Sequence, residues 1–209
     1  MIRSVLLLGF LASCGPLNQG SPAKAIAGQV FSQIRGEAPA EQPLITEELA
    51  QADEFLFVTI RRLGAVIPMS PAAQAGDVQT WIAPTGATVA LENEILVATR
   101  GLGFDVSGID PIGTRAAIAA GGGSSSRTHG FLTPTDQIDT LRMDCTVTQV
   151  GSEDVDMPRG TVSLTKFEEE CSGPRLIFKN EYWADDDGDI VRSLQMLSPE
   201  LGFLLLERA

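Results

Sequence analysis

Residues 81–106 read WIAPTGATVALENEILVATRGLGFDV, and their alternation of β-forming runs and turn sequences indicates the fold class of the chain. Turn chemistry is present at Pro84-Thr85-Gly86-Ala87 and at Glu92-Asn93-Glu94. The runs around these turns are strand-like and lie at 78–82, 88–91 and 95–100. The stretch therefore predicts a three-stranded meander. Gly101 and Gly103 follow its last strand, and glycines at these positions are suited to unusual backbone angles or to a close approach of another element.

Most of the chain on either side of this meander also has the character of β-strands. Further strands are predicted at 54–61, 65–69, 129–132, 138–150, 161–167, 175–183, 190–196 and 202–206. Pro68 places the second of these strands at a sheet edge or at a strand end. We therefore expect a mainly β protein, an antiparallel meander forming a barrel or a sandwich.

Two segments have helical character instead. Residues 23–34 place apolar side chains at helical spacing, and residues 110–120 have Pro111 near the first turn and end at a glycine run. The low-complexity segment 121–126, GGGSSS, predicts a mobile loop, and residues 70–77 predict a second loop. A short N-terminal helical segment should thus precede the β-rich fold.

The N-terminus has the features of an export signal. Arg3 is followed by an apolar run at 5–12 that is too short to span a bilayer. The run ends in Leu11-Ala12-Ser13-Cys14, which resembles a bacterial lipobox, in which the cysteine is acylated; the alternative is an ordinary signal peptide or an uncleaved anchor. We predict a lipoprotein signal peptide at 1–13, an acylated tether at 14–22 and one β-rich periplasmic domain at 23–209.

The lipid on Cys14 would hold the protein on a membrane without spanning it. An aspartate after the acylated cysteine would, by resemblance to bacterial lipoproteins, imply retention in the inner membrane. The residue there is Gly15. The expected location is therefore the outer membrane, on its periplasmic side.

Cys145 and Cys171 are the two cysteines that remain, an even pair in a chain that should be exported. If their segments are the arms of a hairpin, pairing them places its centre at Pro158, within the turn sequence Met157-Pro158-Arg159-Gly160. Directly opposed residues of antiparallel strands are within disulfide reach. We predict a cross-strand disulfide; the alternative is two buried free thiols.

Charge and composition argue against several classes of function. The formal net charge of −12 repels nucleic acid, so we predict no nucleic-acid partner. His129 is the one histidine, which argues against a zinc site. Asp185–Asp189 suggest calcium ligands, but Gly188 is not at the position that a calcium loop requires, so a hairpin tip is favoured. Ser124–Ser126 are interpreted as a linker, and we predict no catalytic residue, cofactor or metal.

The segment from Trp81 to Val106 resembles the signature of the YjbF family, also described as the GfcB group of capsule-related lipoproteins. There, a tryptophan opens a strand, two turns follow, and a Thr-Arg-Gly-Leu-Gly-Phe-Asp-type segment closes the motif. Tyr182-Trp183, the turn with Gly188, residues 190–195 and residues 199–202 also resemble the second half of that family. The resemblance extends over nearly the whole chain after Cys14.

The resemblance implies a non-enzymatic, periplasm-facing lipoprotein that acts in exopolysaccharide or capsule assembly or export. Its partners would be a polysaccharide or other proteins of the secretion system. The residues proposed to contact ligand or partner are Trp81, Thr99, Arg100, Gly101, Gly103 and Asp105. Arg100 would donate hydrogen bonds and Asp105 would accept them. The alternative is structural: Arg100 and Asp105 pair or cap a turn, and Trp81 fills the core.

A second functional hypothesis is a periplasmic polysaccharide-modifying enzyme that uses paired carboxylates. Such a pair meets only in the folded protein, and none of the 27 acidic residues is singled out by the sequence. An enzyme should have a cleft with converging acidic groups, whereas a scaffold should have an apolar or aromatic surface patch.

Overall fold

The computed structural model describes residues 54–133, 135 and 137–209, so the predicted signal peptide, the tether with Cys14 and the helix at 23–34 lie outside the described residues. Within this part of the chain, no helix has the length and the apolar character needed to cross a membrane. The elements are β1 Leu56–Ile60, β2 Ala65–Ala75, β3 Val78–Ile82, β4 Thr88–Glu92, β5 Ile95–Arg100, β6 Val106–Ile109, α1 Ile112–Ala119, β7 Gly122–Leu132, β8 Ile138–Met157, β9 Gly160–Ser172, β10 Ile177–Ala184, β11 Ile190–Ser198 and β12 Gly202–Arg208.

The twelve strands form one antiparallel sheet in the order β5-β4-β3-β2-β1-β12-β11-β10-β9-β8-β7-β6. Neighbours in the sheet are neighbours in sequence, except that β1 pairs with β12. The two end strands, β5 and β6, lie beside each other, so the sheet forms a nearly closed barrel. The mainly β antiparallel fold is confirmed, and of the two predicted architectures the barrel is the one found.

The up-and-down order gives the barrel two distinct ends. We call one end the mouth: it carries the turns β1–β2, β3–β4, β5–β6, β7–β8, β9–β10 and β11–β12. The other end, the base, carries the remaining connections together with Glu54 and Ala209. At the base, Phe55 and Ala209 exchange two backbone hydrogen bonds, of 3.3 and 3.0 Å.

The predicted loop at 70–77 is wrong over most of its length, because β2 continues to Ala75. Residues 65–69 pair with β1, whereas residues 70–75 pair with β3, with a bulge between Pro71 and Ala73. Each half of β2 therefore has one ladder partner. This explains how the strand contains Pro68 and Pro71, which lack an amide hydrogen and are tolerated where a strand has a free edge.

The predicted mobile loop at 121–126 is also wrong, because residues 122–126 form the first half of β7 and pair with β8. The small side chains have a packing reason: α1 lies against this strand. A Cβ built on Gly113 of the helix would lie 3.1 Å from Ser125 Cβ and 3.2 Å from the Ser126 carbonyl oxygen. Glycine and serine make room here for a helix, and their composition is not a sign of disorder.

The hairpin of β8 and β9 brings Cys145 directly opposite Cys171, with 4.1 Å between the two Cα atoms, and a disulfide joins them. At the tip of the hairpin, Met157 opposes Gly160, so the centre of the turn lies between Pro158 and Arg159. This is half a residue beyond the predicted centre at Pro158. A bulge between Gln149 and Gly151 shifts the register by one residue. Because of that bulge, Cys145 and Cys171 are directly opposed although the turn is centred half a residue beyond Pro158.

Candidate functional site

Asp105 organises the loop that leaves the β1–β5 meander at the mouth. Its Oδ1 accepts hydrogen bonds from the Thr99 hydroxyl at 2.8 Å and from the Leu102 amide at 3.2 Å. Its Oδ2 accepts one from the Gly101 amide at 2.9 Å. A short acidic side chain is suited to satisfying several amides of a tight loop in this way. Asp105 therefore caps the turn between β5 and β6.

Thr99 and Arg100 join β5 to β6 at the point where the sheet closes. The Val106 amide donates to Thr99 Oγ1 at 3.2 Å, and Arg100 Nη1 donates to the Val106 carbonyl at 2.9 Å. Arg100 Nη1 also donates to the Thr99 carbonyl at 2.5 Å. Among the described residues, β5 and β6 are not joined by backbone hydrogen bonds of a ladder. Here, the side chains of Thr99 and Arg100 provide the hydrogen-bond partners of the Val106 backbone.

The two glycines of this loop have positive φ, +81° at Gly101 and +103° at Gly103. A Cβ on Gly101 would lie 3.2 Å from the Ala87 Cα, whereas one on Gly103 would meet nothing within 4 Å. Trp81 is 1% exposed and packs in the largest apolar cluster, with Val89, Leu91 and Leu204 among its members. Trp81 is therefore a core residue, and Gly101 permits the β3–β4 and β5–β6 turns to approach each other.

A pocket of about 270 Å³ opens beside this loop at the mouth. Phe104 and Asp105 of the β5–β6 turn form one wall of the pocket. The other lining residues come from three separate turns and the strands beside them: Phe131, Leu132, Thr133, Asp139 and Leu141, then Arg175 and Leu176, then Ser198, Pro199 and Glu200. Asp139 and Arg175 form an ion pair at 2.8 Å.

Of the six residues proposed from the sequence, only Asp105 lines this pocket. Gly101 and Gly103 belong to the same turn as Asp105, and Thr99 and Arg100 are the last two residues of β5, directly before that turn. Trp81 lies in the core. Sequence reasoning missed Phe104, although it lies within the quoted motif and is 46% exposed. It also missed Arg175 and Glu200, because residues from separate hairpin turns meet only when the barrel forms.

A second cluster of polar groups is fully enclosed within the barrel. Arg127 Nη1 donates to Glu169 Oε2 at 2.6 Å and to the Tyr182 hydroxyl at 2.8 Å. The Asn180 amide donates to the same carboxylate at 2.7 Å, and the Thr114 hydroxyl donates to its other oxygen. Because Thr114 belongs to α1, this network fastens the helix to β7, β9 and β10. It is a structural feature, remote from solvent.

Burial changes the pKa of two groups in and around this interior, Tyr182 and His129. It raises the pKa of the Tyr182 hydroxyl well above its usual value, and the phenol therefore stays protonated. Burial, assisted by the charge of Arg127, lowers the pKa of His129 to about 3, so this imidazole is neutral at ordinary pH. Neither ring nitrogen of His129 has a hydrogen-bond partner in the described protein; the ring packs against Phe131 and Phe178.

Two groups of residues have the composition of metal ligands. The first group is Cys145, Cys171 and Glu169, whose ligand atoms lie within 4.8 Å of one another. The two sulfurs form a disulfide, however, and the Glu169 carboxylate forms an ion pair with Arg127. At the hairpin tip, Asp185 Oδ1 accepts from the amides of Asp187 and Asp189 at 3.0 and 2.9 Å. The side chain of Asp185 thus holds the backbone of a turn, in agreement with the hairpin interpretation.

One family model and one solved structure are similar to most of this chain. The family model described as "Group 4 capsule polysaccharide lipoprotein gfcB, YjbF" matches residues 36–208. The crystal structure of the hypothetical lipoprotein YmcC from Escherichia coli K12 has a TM-score of 0.67 and 18% identity, covering 91% of this chain and 96% of that chain. At this identity the likeness shows the fold alone.

A putative exported protein with a YmcC-like fold from Bacteroides fragilis is more distant. Its TM-score is 0.30 and its identity 13%, over 76% of this chain and 94% of that chain. Comparison with curated proteins gave no match. The family match covers most of the sequence and includes every described strand, and the chain therefore belongs to the YjbF family of capsule-associated lipoproteins.

Proposed function

We propose that this lipoprotein is a non-catalytic accessory or scaffold in the assembly or export of an exopolysaccharide or capsule. It is anchored through an acylated Cys14 to the outer membrane and faces the periplasm. Membership of the YjbF family supports the link to capsule. The lipobox sequence supports the anchor. In this proposal, the mouth of the barrel is the surface that meets the polymer or the secretion proteins.

The observation that carries this proposal is the placement of the β5–β6 turn. Hydrogen bonds made by four signature residues in and directly before this turn fix its backbone: Thr99, Arg100, Gly101 and Asp105. The same turn presents the half-exposed ring of Phe104 in the wall of a pocket. A rigidly held loop that exposes an aromatic side chain beside a pocket is typical of a binding surface.

Carboxylate catalysis, the second hypothesis from the sequence, has less support. Of the three carboxyls that line the pocket, Asp105 accepts three hydrogen bonds that hold its own turn and Asp139 is paired with Arg175, which leaves Glu200 alone and not as one of a pair of carboxylates. Burial raises the pKa of two carboxyls among the described residues, Glu94, to about 7, and Glu207. Glu94 belongs to the β4–β5 turn and Glu207 lies near the end of β12, so both carboxyls with this property of a general acid are at the base, the opposite end from the pocket.

The test is complementation of a deletion strain in its native host, with surface polymer as the readout. We expect wild-type protein to restore the polymer, and Phe104→Ser to restore little. Val162→Ser is the matched control, since Val162 is 45% exposed, like Phe104, but lies near the β8–β9 tip at the base. Normal polymer in the deletion strain would refute the proposed function.

The anchor is tested in the same strain with Cys14→Ser. We expect this variant to be folded, released from the membrane fraction and unable to restore the polymer. Circular dichroism of the released protein provides the folding control. A soluble variant that still restores the polymer would show that anchoring is not needed.

A further inference from the structure

The base of the barrel has a groove of about 520 Å³, at the opposite end from the pocket of the mouth. One wall comes from residues 149–164, the end of the β8–β9 hairpin, which extends beyond the ladders with β7 and β10. We call this part of the hairpin the arm. The other wall comes from the β10–β11 turn, the start of β11 and the two ends of the described chain, Glu54 and Ala209. The groove thus lies where the described chain begins.

The arm is fixed to the barrel by Trp183 of β10, which points away from the interior, since Tyr182 beside it points inward. The ring of Trp183 packs in one apolar cluster with Val155 and Leu164 of the arm. Its Nε1 donates to Glu153 Oε1 of the arm at 2.5 Å. These contacts hold the arm in place, so the groove exists before anything enters it.

The lining of the groove is apolar on both walls. Met157 and Leu164 contribute to it from the arm, and Val191 and Ala209 contribute from the barrel. Apolar surface of this kind gains free energy when an apolar side chain covers it.

Among the described residues, the charged groups that line the groove have partners within the protein. Glu54 pairs with Arg208, which also pairs with Glu94 at 3.2 Å. Asp185 Oδ1 accepts hydrogen bonds from two amides of its own turn. The Arg159 guanidinium lies over the Phe55 ring, 5.6 Å from its centroid. A site for a small polar ligand needs polar groups that converge on the ligand, so this groove is better suited to an apolar occupant.

The segment directly before Glu54 has apolar side chains that fit such a lining. Residues 43–53 read PLITEELAQAD. Ile45 and Leu49 are four residues apart and would share one side of a helix, whereas Glu47 would lie on the opposite side. The pattern therefore predicts a short amphipathic helix that has one apolar side to bury.

This segment can also reach the groove. Leu49 precedes Glu54 by five residues, which is a helical rise of about 8 Å, and Glu54 itself lines the groove. Because the segment is joined to Glu54, its effective concentration at the groove is about millimolar, and any separate ligand would have to compete with it. The family match begins at residue 36, so the segment belongs to the part of the chain that the family shares.

We propose that residues 43–53 of this chain occupy the groove, with Leu49 packed between the arm and Val191. The groove is then filled from within the protein and fastens the chain to the barrel before the first strand begins. This inference goes beyond the proposed function and does not depend on it.

Cysteine trapping in the full-length, lipidated protein tests this placement. The test pair is Leu49→Cys with Val191→Cys. The matched control is Glu47→Cys with Val191→Cys, which uses the opposite side of the same helix. After mild oxidation, we expect at least fivefold more intramolecular disulfide in the test pair, measured by intact mass and by mobility on a non-reducing gel.

Equal yields from the two pairs would overturn the inference. A disulfide from position 191 to a second copy of this chain or to another protein would also overturn it, because the groove would then have a different occupant. Circular dichroism verifies that both double variants are folded.

Protection from proteolysis provides a second test. Glutamyl endopeptidase cleaves after Glu48, and we expect Val191→Asp, which places a charge in the apolar lining, to speed this cleavage at least tenfold. Ile177→Asp is the matched control, since it makes the same kind of change at a residue of the mouth that is 78% exposed, and it should leave the rate unchanged. Equal rates in wild type and a folded Val191→Asp would overturn the inference. If Val191→Asp does not fold, the cysteine pairs decide alone.

Discussion

At the scale of single residues, Gly101 and Gly103 form a natural pair for comparison. Both have positive φ, which costs an L-residue about 1–2 kcal/mol, but only a Cβ on Gly101 would press on the backbone of Ala87, at 3.2 Å. We expect Gly101→Ala to lower the free energy of unfolding by about 1 kcal/mol more than Gly103→Ala does. Urea unfolding of both variants measures this, and equal losses would mean that the β3–β4 turn moves aside freely.

Glu94 should make the free energy of unfolding depend on pH. Burial raises its pKa from 4.5 to about 7, and Arg208, 3.2 Å away, offsets only part of this effect. The folded state thus retains a proton that the unfolded chain has lost. The contribution of Glu94 to the free energy of unfolding is fully present below pH 4.5 and is lost as pH rises through 7.

Glu94→Gln removes this dependence. Between pH 4.5 and pH 8, we expect the free energy of unfolding of wild type to fall by about 2–3 kcal/mol relative to the variant. Urea unfolding of both proteins across this range is the measurement. Parallel pH profiles would show that Arg208 compensates fully for the burial of the carboxylate.

At the scale of elements, the attachment of α1 depends on the buried pair Arg127–Glu169. Removing one partner leaves an uncompensated buried charge, so we expect Glu169→Ala to cost about 3–5 kcal/mol. The double variant Arg127→Met with Glu169→Leu should cost less than Glu169→Ala alone. Glu168→Ala on the same strand, which removes a solvent-exposed pair with Lys179, should cost about 1 kcal/mol or less.

Thermal unfolding of these variants tests the attachment of the helix. Equal losses for the Glu169 and Glu168 variants would contradict a buried, charge-paired anchor for α1. A double variant that is less stable than Glu169→Ala would show that the remaining members of the network, Asn180 and Tyr182, depend on the charges.

Most of the strands could be predicted because their signals are local, although no strand was predicted at β6, Val106–Ile109. Pro84-Thr85-Gly86-Ala87 and Glu92-Asn93-Glu94 mark their turns directly, and Asn93 and Glu94 indeed have positive φ of 48° and 65°. The first half of β7 could not be predicted in this way. Its glycines and serines have low β-propensity, and the helix that explains them is a tertiary partner.

At the scale of the whole molecule, Gln195 connects strands on opposite sides of the barrel. Its Oε1 accepts from the Leu96 amide at 2.9 Å, and its Nε2 donates to the Glu94 carbonyl at 3.0 Å, so β11 is bonded to β5 across the interior. We expect Gln195→Leu to cost about 2–4 kcal/mol, because it leaves both backbone groups without their partner.

Hydrogen exchange identifies the cause of that loss. The Leu96 amide should exchange much faster in Gln195→Leu than in wild type. Gln79→Leu is the control, since Gln79 bonds carbonyls of its own and the adjacent strand and should cost less than 1 kcal/mol. Unchanged protection of Leu96 would contradict a role of Gln195 in holding the barrel closed.

The candidate site was only partly predictable, because most of its residues are brought together by the closure of the whole barrel. Asp105 and its loop are contiguous in sequence, so the motif located them. The pocket combines four turns, with Phe104 and Glu200 separated by nearly half of the chain. Such a juxtaposition depends on strand order, which neither composition nor hydrophobic period specifies.

The pairing of β1 with β12 has a consequence for how the protein reaches its folded state. All other ladders join strands that are adjacent in sequence, so they form by short-range closure, whereas this ladder joins the two ends of the described chain. We expect it to form last and to limit the folding rate. Until β12 has crossed the membrane, β1 has an unsatisfied edge. We therefore expect a chain of this design to be most exposed to misassociation during its own secretion, and to be protected once β12 has paired with β1.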